Sequence, residues 1–391
     1  MLKSIRMQIA LLAIVPLLAY VVATFIALNE AYTESRIASE IYPTALVAEK
    51  SEAVLHELQK ERGRTAVLLA SGFADTPKEL LAQQRGATDA ALEDLRQTVA
   101  DFHISNTLLQ DGVRATGDAL DEIAVHRSGI DKCTLVGKQN LAFYSGKVRN
   151  LIGIVQEAQT ASSDPEYAQK MTPFLLLTEA IEAGGLERAI GGQLFTIVGK
   201  TGAVPNDRFL AYFDRLSVEN AFLKNFRSVA TPEEIAAFVA AVSGSAGVQV
   251  LVWRKVLRSL PETMDGQGID GSVWFGKATE RLNLIRQASI GMLKAAETRA
   301  QELAGAANKH LQYVIAETVG VVLVTLLICV WQLRSVNGLL ASLTGNLVRI
   351  SKGDVDFTMP YADRQDAIGD LARAGGVVQE NARVREGLEA A

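Results

Sequence analysis

The sequence predicts an all-α protein in which two transmembrane helices enclose a large helical domain. Three observations support this fold class. Apolar residues recur at helical spacing over most of the 391 residues, two runs of about twenty residues are apolar, and no stretch alternates like a β-strand. The length allows two or more domains, and the high hydrophobic content, 49%, comes mostly from the two apolar runs.

The first apolar run extends from Ile9 to Leu28 and contains no charged residue. Lys3 and Arg6 precede it and Glu30 follows it. The positive-inside rule therefore predicts a cytoplasmic N-terminus at 1–8 and a transmembrane helix at 9–28. A cleaved signal peptide is the alternative, but the run is long for one and lacks a clear small-x-small cleavage site.

The second apolar run extends from Tyr313 to Leu333. Glu317 lies near its outer end, and Trp331 and Arg334 mark its inner boundary. A second transmembrane helix at 313–333 places residues 29–312 in the periplasm of a bacterium and 334–391 in the cytoplasm. Two inner-membrane spans around a large outer domain are typical of a receptor, although an anchored enzyme could have the same layout.

The outer domain reads as a series of amphipathic helices separated by clusters of turn residues. Helix starts with a capping side chain before a proline are predicted at Asp75-Thr76-Pro77 and at Thr231-Pro232. The predicted helices cover 42–71, 77–102, 107–126, 135–161, 167–198, 207–228, 232–241, 249–260 and 272–311.

Two arginines, Arg62 and Arg188, occupy apolar positions in duplicated helical stripes, with 188 − 62 = 126 residues between them. A buried arginine is costly unless an anion pairs with it. Two in register favour a built site for a planar oxyanion, to which guanidinium donates two parallel hydrogen bonds. The stripes are Ser51, Leu55, Leu58, Arg62, Thr65, Leu69 and Gly72 in the first copy, and Leu177, Ile181, Gly184, Arg188, Gly191, Phe195 and Val198 in the second.

The duplication continues beyond the arginines. Lys60-Glu61-Arg62-Gly63 matches Leu186-Glu187-Arg188-Ala189, and Tyr144-Ser145-Gly146-Lys147 resembles Trp274-Phe275-Gly276-Lys277 at an offset of 276 − 146 = 130. Two copies of a four-helix unit, joined near 162–167, account for both offsets. The alternative for the arginines is that core carboxylates neutralise them and that they only stabilise the bundle.

Several residues near these arginines are further candidates for the site. Arg254 and Arg281 lie on later helices and could complete an anion cage, whereas Arg64 points away from the stripe. Glu61 and Glu187 lie at the edge of the stripe, where they could orient or partly neutralise the arginines.

Glycines cluster around Arg188, with Gly184 and Gly191 on its stripe. Each weakens a helix by about 1 kcal/mol relative to alanine. Such glycines are tolerated where a neighbouring helix or a small ligand approaches the backbone closely.

Other classes of function have little support in the sequence. The net charge of −5 without a basic block indicates no nucleic-acid partner. Four scattered histidines and two cysteines form no metal-ligand pattern, so no metal or cofactor is expected. Gly199-Lys200-Thr201 is not a phosphate loop, since Leu194 stands where the first glycine is required. No nucleophile motif is present, so the chain is not expected to be an enzyme.

The segment around Arg62, which reads His56-Glu57-Leu58-Gln59-Lys60-Glu61-Arg62-Gly63-Arg64, resembles the opening of the nitrate- and nitrite-sensing (NIT) domain family. Leu186-Glu187-Arg188, and Trp274-Phe275 with Ala278-Thr279 and Arg281, fit the second half of that family. The resemblance covers 42–300. It implies a domain of two four-helix bundles that binds nitrate or nitrite through its motif arginines.

The segment after the second span resembles a HAMP signal-transmission module. Its first helix carries Val336, Leu340, Leu343, Leu347 and Ile350 at heptad spacing, a connector runs from Gly353 to Pro360, and a second helix starts near Asp366. Ser335-Val336 stands where the family usually has a proline, and Ala367 where it usually has glutamate. The resemblance implies a parallel coiled coil and hence a homodimer.

These observations predict a dimeric transmembrane receptor for nitrate or nitrite, of the methyl-accepting chemotaxis type. The expected partners are the oxyanion, the membrane, a second copy, and a chemotaxis kinase complex or another output domain. The same architecture could instead sense a different ligand or a partner protein and feed a histidine kinase or cyclase. An anchored hydrolase and a purely structural scaffold are the remaining alternatives.

Overall fold

The structure, a computed structural model, describes the backbone of residues 5–102, 107–160, 162 and 164–389. All regular secondary structure in these residues is helical, which confirms the predicted all-α class. The side chains of 5–17, where the first predicted span begins, lie outside the description. The helices are α1 Ile5–Ala70, α2 Asp75–Asp101, α3 Thr107–Asp131, α4 Gly137–Thr160, α5 Pro165–Thr201, α6 Asn206–Val229, α7 Pro232–Ser243, α8 Ser245–Thr263, α9 Gly271–Ser351 and α10 Ala367–Glu389.

Local chemistry explains where α5 and α7 begin. The side chain of Asp164 accepts a hydrogen bond from the backbone N–H of Tyr167 at 2.7 Å, and Pro165 fills the first turn of α5. Thr231 and Glu234 form a reciprocal capping box at the start of α7. The predicted start at Thr231 is therefore confirmed.

Two predicted boundaries differ from the structure. The N-cap of α2 is Ala74, which makes no side-chain cap bond, because Asp75 already lies in the first turn. The gap between the helices predicted at 232–241 and 249–260 shrinks to Gly244, where α7 and α8 meet at a bend of 71°. A local pattern of turn residues located both breaks, but it did not fix their length.

The chain divides into two compact units, of which Asn29–Leu311 is the larger. Inside it, side chains of α1 to α4 form one apolar core around Leu58, Tyr144 and Leu151. Side chains of α5, α6, α8 and α9 form a second core around Phe195, Tyr212 and Trp274. A third core joins the two groups, because α1, α4, α5 and α9 all contribute to it. The cores thus group α1 to α4 and α5, α6, α8 and α9, with α7 as an additional short helix.

The other unit comprises Met1–Leu28 and Gln312–Ala391. Its end of α9 packs with α10 and the intervening connector around Leu343, Val355 and Ala372. Gln379 Nε2 donates to the carbonyl of Val355 at 2.9 Å, which fixes the connector against α10. The side chain of Val336, the first predicted heptad position, lies outside the described residues.

Among the described residues, one helix is long and apolar enough to cross a membrane, namely α9 within Gly271–Ile328. A second would qualify only if the bent pair α7 and α8 counted as one span. The predicted second span belongs to α9.

Candidate functional site

Arg62 is neutralised by a carboxylate from the other half of the duplication. Its guanidinium is buried and donates from Nη1 to Glu182 Oε1 at 2.6 Å and from Nη2 to Glu182 Oε2 at 3.0 Å. Nη1 also donates to Ser145 Oγ at 2.8 Å, and Gln59 Nε2 donates to Glu182 Oε2 at 2.8 Å. This two-pronged pair satisfies both charges, so Arg62 already has its anion inside the protein.

Arg188 has no such partner among the described residues. Its guanidinium lies over the ring of Phe275, 4.3 Å from the ring centroid, and Nη1 donates to Thr279 Oγ1 at 2.8 Å. The buried Nε–H has no hydrogen-bond partner there, and no described carboxylate forms a salt bridge with this arginine. Leaving a buried donor unpaired costs about 1–3 kcal/mol, and more when the group is charged. The Nε and Nη2 edge of Arg188 is therefore suited to an external anion.

The surroundings of Arg188 are cationic. Burial and the nearby positive charge of Arg62 lower the pKa of Arg188 to about 10. Arg188 therefore remains charged at neutral pH, while its charge is poorly compensated by the protein.

Arg188 faces a pocket of about 490 Å³ between α1, α2, α5 and α9. The walls contain four cationic side chains and no aspartate or glutamate. Two of the cations are paired, since Lys60 contacts Glu57 at 2.8 Å and Arg286 contacts Glu52 at 2.7 and 2.8 Å. The lining residues are His56, Gln59, Lys60, Gly63, Arg64, Val67, Thr76, Pro77, Leu80, Ile181, Gly185, Arg188, Phe275, Thr279, Leu282, Asn283 and Arg286.

The sequence offset explains why Arg62 has a carboxylate partner within the protein and Arg188 has none among the described residues. Glu182, which pairs with Arg62, corresponds to His56 in the first copy, because 182 − 56 = 126 equals the offset of the arginines. Burial, together with the positive charge of Arg286, lowers the pKa of His56 to about 4. His56 is therefore neutral at pH 7. The position that supplies a carboxylate to Arg62 supplies only an uncharged imidazole to the pocket of Arg188.

The fourth helices of the two copies also correspond through these arginines. Ser145 and Thr279 bond the two guanidinium groups, while Asn140 and Trp274 donate to the carbonyls of Arg62 and Arg188 at 3.5 and 2.9 Å. Both pairs give one offset, since 279 − 145 = 134 and 274 − 140 = 134. The structural register is therefore one helical turn away from the sequence match at 130.

Glu61 and Glu187 neutralise arginines other than Arg62 and Arg188. Glu61 accepts from Arg127 at 2.7 and 2.8 Å and from Tyr144 at 2.7 Å. Burial alone would raise the pKa of Glu61, but the bonds from Arg127 and Tyr144 hold it below its usual value. Glu187 accepts from Arg254 at 3.1 and 2.7 Å. Glu61 therefore contacts α3, the third helix of the first group, and Glu187 contacts α8, the third long helix of the second group.

Arg254 and Arg281 lie together in a buried network away from the pocket. Glu219 accepts from Arg254 and lies 2.7 Å from Arg281 Nη2. Burial would lower the pKa of Arg254, but Glu187 and Glu219 raise it. For Arg281 the effect of burial dominates and its pKa is lowered. The described contacts of these two arginines are with protein carboxylates, so they do not surround the anion pocket.

Arg64, Gly184 and Gly191 are the remaining predicted site residues. Arg64 lines the pocket and has no ion pair among the described residues. A Cβ atom at Gly184 would lie 2.8 Å from Leu282, and one at Gly191 would lie 2.8 Å from the Trp274 indole. These contacts favour close packing with α9 as the reason for both glycines. A Cβ atom at Gly63 would lie 3.9 Å from Arg188 Nη2, so the glycine leaves the space beside that nitrogen open.

Three important partners were missed from the sequence, namely Glu182, Glu219 and Arg127. Helical periodicity identifies the face on which a residue lies but not its partner on another helix. His56 had a usable signal, because comparison at the offset of 126 sets histidine against Glu182.

The sequence matches the protein family described as nitrate and nitrite sensing over residues 53–297, more than half of the chain. It is 24% identical over 246 residues to the "Nitrate regulatory protein" of Klebsiella oxytoca, an alignment that covers 61% of this chain and 59% of that protein. The chain thus spans about three fifths of that curated relative.

The fold is similar to a solved structure described as the NasR transcription antiterminator. The TM-score is 0.60 at 21% identity, and the match covers 95% of this chain and 99% of that one. This likeness shows a shared helical fold.

These comparisons overturn the predicted set of partners. The two similar proteins are named as a nitrate regulatory protein and a transcription antiterminator, which conflicts with excluding nucleic acid and with assigning membrane-receptor partners such as a chemotaxis kinase. The prediction failed because it treated the missing basic block as informative. A sensor fold carries no information about the module that reads its signal.

The family match extends across the two arginines, the pocket and both helical groups described above. The chain therefore belongs to the nitrate and nitrite sensing family.

Proposed function

We propose that the chain senses nitrate or nitrite through a single anion site at Arg188. The observation that carries this proposal is the unpaired Nε of Arg188 beside a pocket without acidic side chains. Family membership supports the choice of ligand class. Arg62 has a supporting role, because Glu182 already occupies its guanidinium.

The ligand chemistry follows from the geometry of Arg188. Phe275 supports one face of the guanidinium and Thr279 takes one hydrogen of Nη1. Two parallel donors, Nε–H and Nη2–H, remain for two oxygens of a planar ion. Arg64 adds a second positive charge at the pocket wall. The proposed role is binding and sensing, with no catalytic step.

The test is calorimetric titration of the full chain, purified in detergent, with nitrate, nitrite and chloride. Nitrate or nitrite should bind the wild-type protein, and Arg188→Gln should abolish that binding. Arg227→Gln is a matched control, because Arg227 also lies over an aromatic ring, that of Phe238, but outside the pocket. Unchanged binding in Arg188→Gln, or no binding of either ion to the wild type, would overturn the proposal.

We further propose that the chain is an inner-membrane sensor with spans at 9–28 and 313–333 and a HAMP-like segment at 334–391. The apolar stretch of α9 supports the second span. The packed connector and α10, with Gly353 in the left-handed region at φ 85°, support the HAMP-like segment. Since Phe275 and Thr279 belong to α9, anion binding acts on the helix that carries the second proposed span.

The names of the two similar proteins favour a second candidate, a regulator of transcription that responds to the same ions. Cell fractionation separates the candidates. Recovery of the chain in carbonate-washed membranes supports the membrane sensor, whereas recovery in the soluble fraction supports the regulator. If the first candidate is correct, charged replacements at Leu323 and Leu327, which are exposed in α9, should prevent insertion of the second span, while the span at 9–28 keeps the chain in the membrane fraction.

A further inference from the structure

The pocket at Arg188 is larger than a small inorganic ion requires. Its volume is about 490 Å³. Nitrate would fill on the order of 60 Å³, about twice the share of one water molecule. Pockets of roughly 300–1,000 Å³ with apolar walls and a few convergent polar groups are typical of sites for small organic molecules. An inorganic ion alone would leave most of this volume to water.

Hydrocarbon from all four surrounding helices also lines the pocket. Val67 of α1 and Leu80 of α2 remain 49% and 41% exposed although they line a concave surface. Ile181 of α5 and Leu282 of α9 also line the pocket. Covering such side chains with an apolar group removes hydrocarbon from water and is favourable.

The charged groups add a second constraint on the occupant. Arg188 has a free donor edge, and no lining residue is acidic, so the occupant carries negative charge. The guanidinium is supported by the Phe275 ring, which places its cation next to the apolar wall. An occupant with one anionic end and one apolar end therefore matches the free donor edge of Arg188 and the hydrocarbon of the lining.

We propose that this pocket binds a carboxylate that carries a short apolar chain. Its carboxylate accepts the Nε and Nη2 hydrogens of Arg188, and its hydrocarbon covers Val67 and Leu80. The inference deepens the proposed function, since it places an organic anion at the same arginine, in competition with nitrate or nitrite.

The test is titration of the full chain in detergent with acetate, butanoate and hexanoate, alongside nitrate. Affinity should rise about threefold to fourfold for each methylene that becomes buried. Leu80→Asn should flatten this series. Leu141→Asn is the matched control, because Leu141 is also 41% exposed on a helix but does not line the pocket, and it should keep the rise.

The outcomes separate this inference from the proposed function. A flat carboxylate series with nitrate binding that depends on Arg188 overturns the organic-anion inference alone. A rising series without nitrate or nitrite binding supports the inference and overturns the proposed inorganic ligand. A rise that persists in Arg188→Gln reports partition into the micelle and overturns the inference. Failure of all the anions to bind overturns both.

Discussion

Two arginines at equivalent positions of a duplicated fold have acquired different states. Arg62 is held by Glu182, and Arg188 has only an aromatic ring and a hydroxyl. The difference depends on one pair of equivalent positions, glutamate at 182 and histidine at 56. A charge paired inside the protein stabilises the fold, whereas an unpaired charge in a pocket is available to a ligand.

This contrast predicts that the same substitution has unequal effects on stability at the two positions. Arg62→Gln leaves the carboxylate of Glu182 without its cation and should lower the free energy of unfolding by about 3 kcal/mol. Arg188→Gln removes a cation with no carboxylate partner and should change it by less than about 1 kcal/mol. Urea denaturation of the two variants without added nitrate measures both values. Equal losses would contradict the conclusion that, in the described part of the chain, Arg62 has a carboxylate partner and Arg188 has none.

His56 predicts a specific dependence of stability on pH. Its pKa is lowered from 6.5 to about 4 in the folded protein. As the pH falls below 6.5 the unfolded chain takes up a proton first, so the free energy of unfolding decreases until the folded pKa is reached. The decrease in the free energy of unfolding that is due to His56 is at most about 3 kcal/mol between these pH values.

The check is denaturation of the wild type and of His56→Gln at pH 7 and at pH 4.5. The wild type should lose more stability than the variant across this interval, because glutamine does not titrate. Parallel pH profiles would contradict the position assigned to His56.

At the scale of elements, buried ion pairs tie helices together in both groups. Glu61 joins α1 to α3 through Arg127, and Glu187 joins α5 to α8 through Arg254. Glu219 of α6 pairs with Arg281 and so connects α6 to α9. These networks position the helices that surround the pocket without contributing to its lining.

Glu219→Gln should therefore destabilise the protein, because Arg254 and Arg281 both lose a buried carboxylate. A loss of about 3–5 kcal/mol is expected. Glu280→Gln is the control, since its pair with Lys277 is exposed and should be worth less than about 1 kcal/mol. Thermal denaturation monitored by circular dichroism compares the two. A similar shift in Tm for both variants would refute the structural role of Glu219.

Much of the element pattern could be predicted from the sequence. Helical periodicity and turn residues located the breaks, and the duplicated stripes drew attention to Arg62 and Arg188. The partners could not be predicted, because Glu182 and Glu219 reach their arginines from separate helices. The sequence interpretation therefore grouped Arg254 and Arg281 with the anion site, whereas packing places them with Glu187 and Glu219.

At the scale of the whole molecule, the duplication places two helical groups around a shared middle core. Elements of both groups build the pocket, since α1 and α2 come from the first and α5 and α9 from the second. An anion bound there contacts both groups and can change their packing, which is the kind of shift a sensor requires.

We infer that the chain binds one anion, at Arg188, because position 56 lacks a carboxylate. Calorimetric titration of nitrate into the wild type, His56→Glu and the control His56→Gln tests it most directly. We expect one nitrate per chain for the wild type and His56→Gln, and at least a tenfold loss of affinity for His56→Glu, a change of about 1.4 kcal/mol. Two nitrates per chain, or full affinity in His56→Glu, would contradict it.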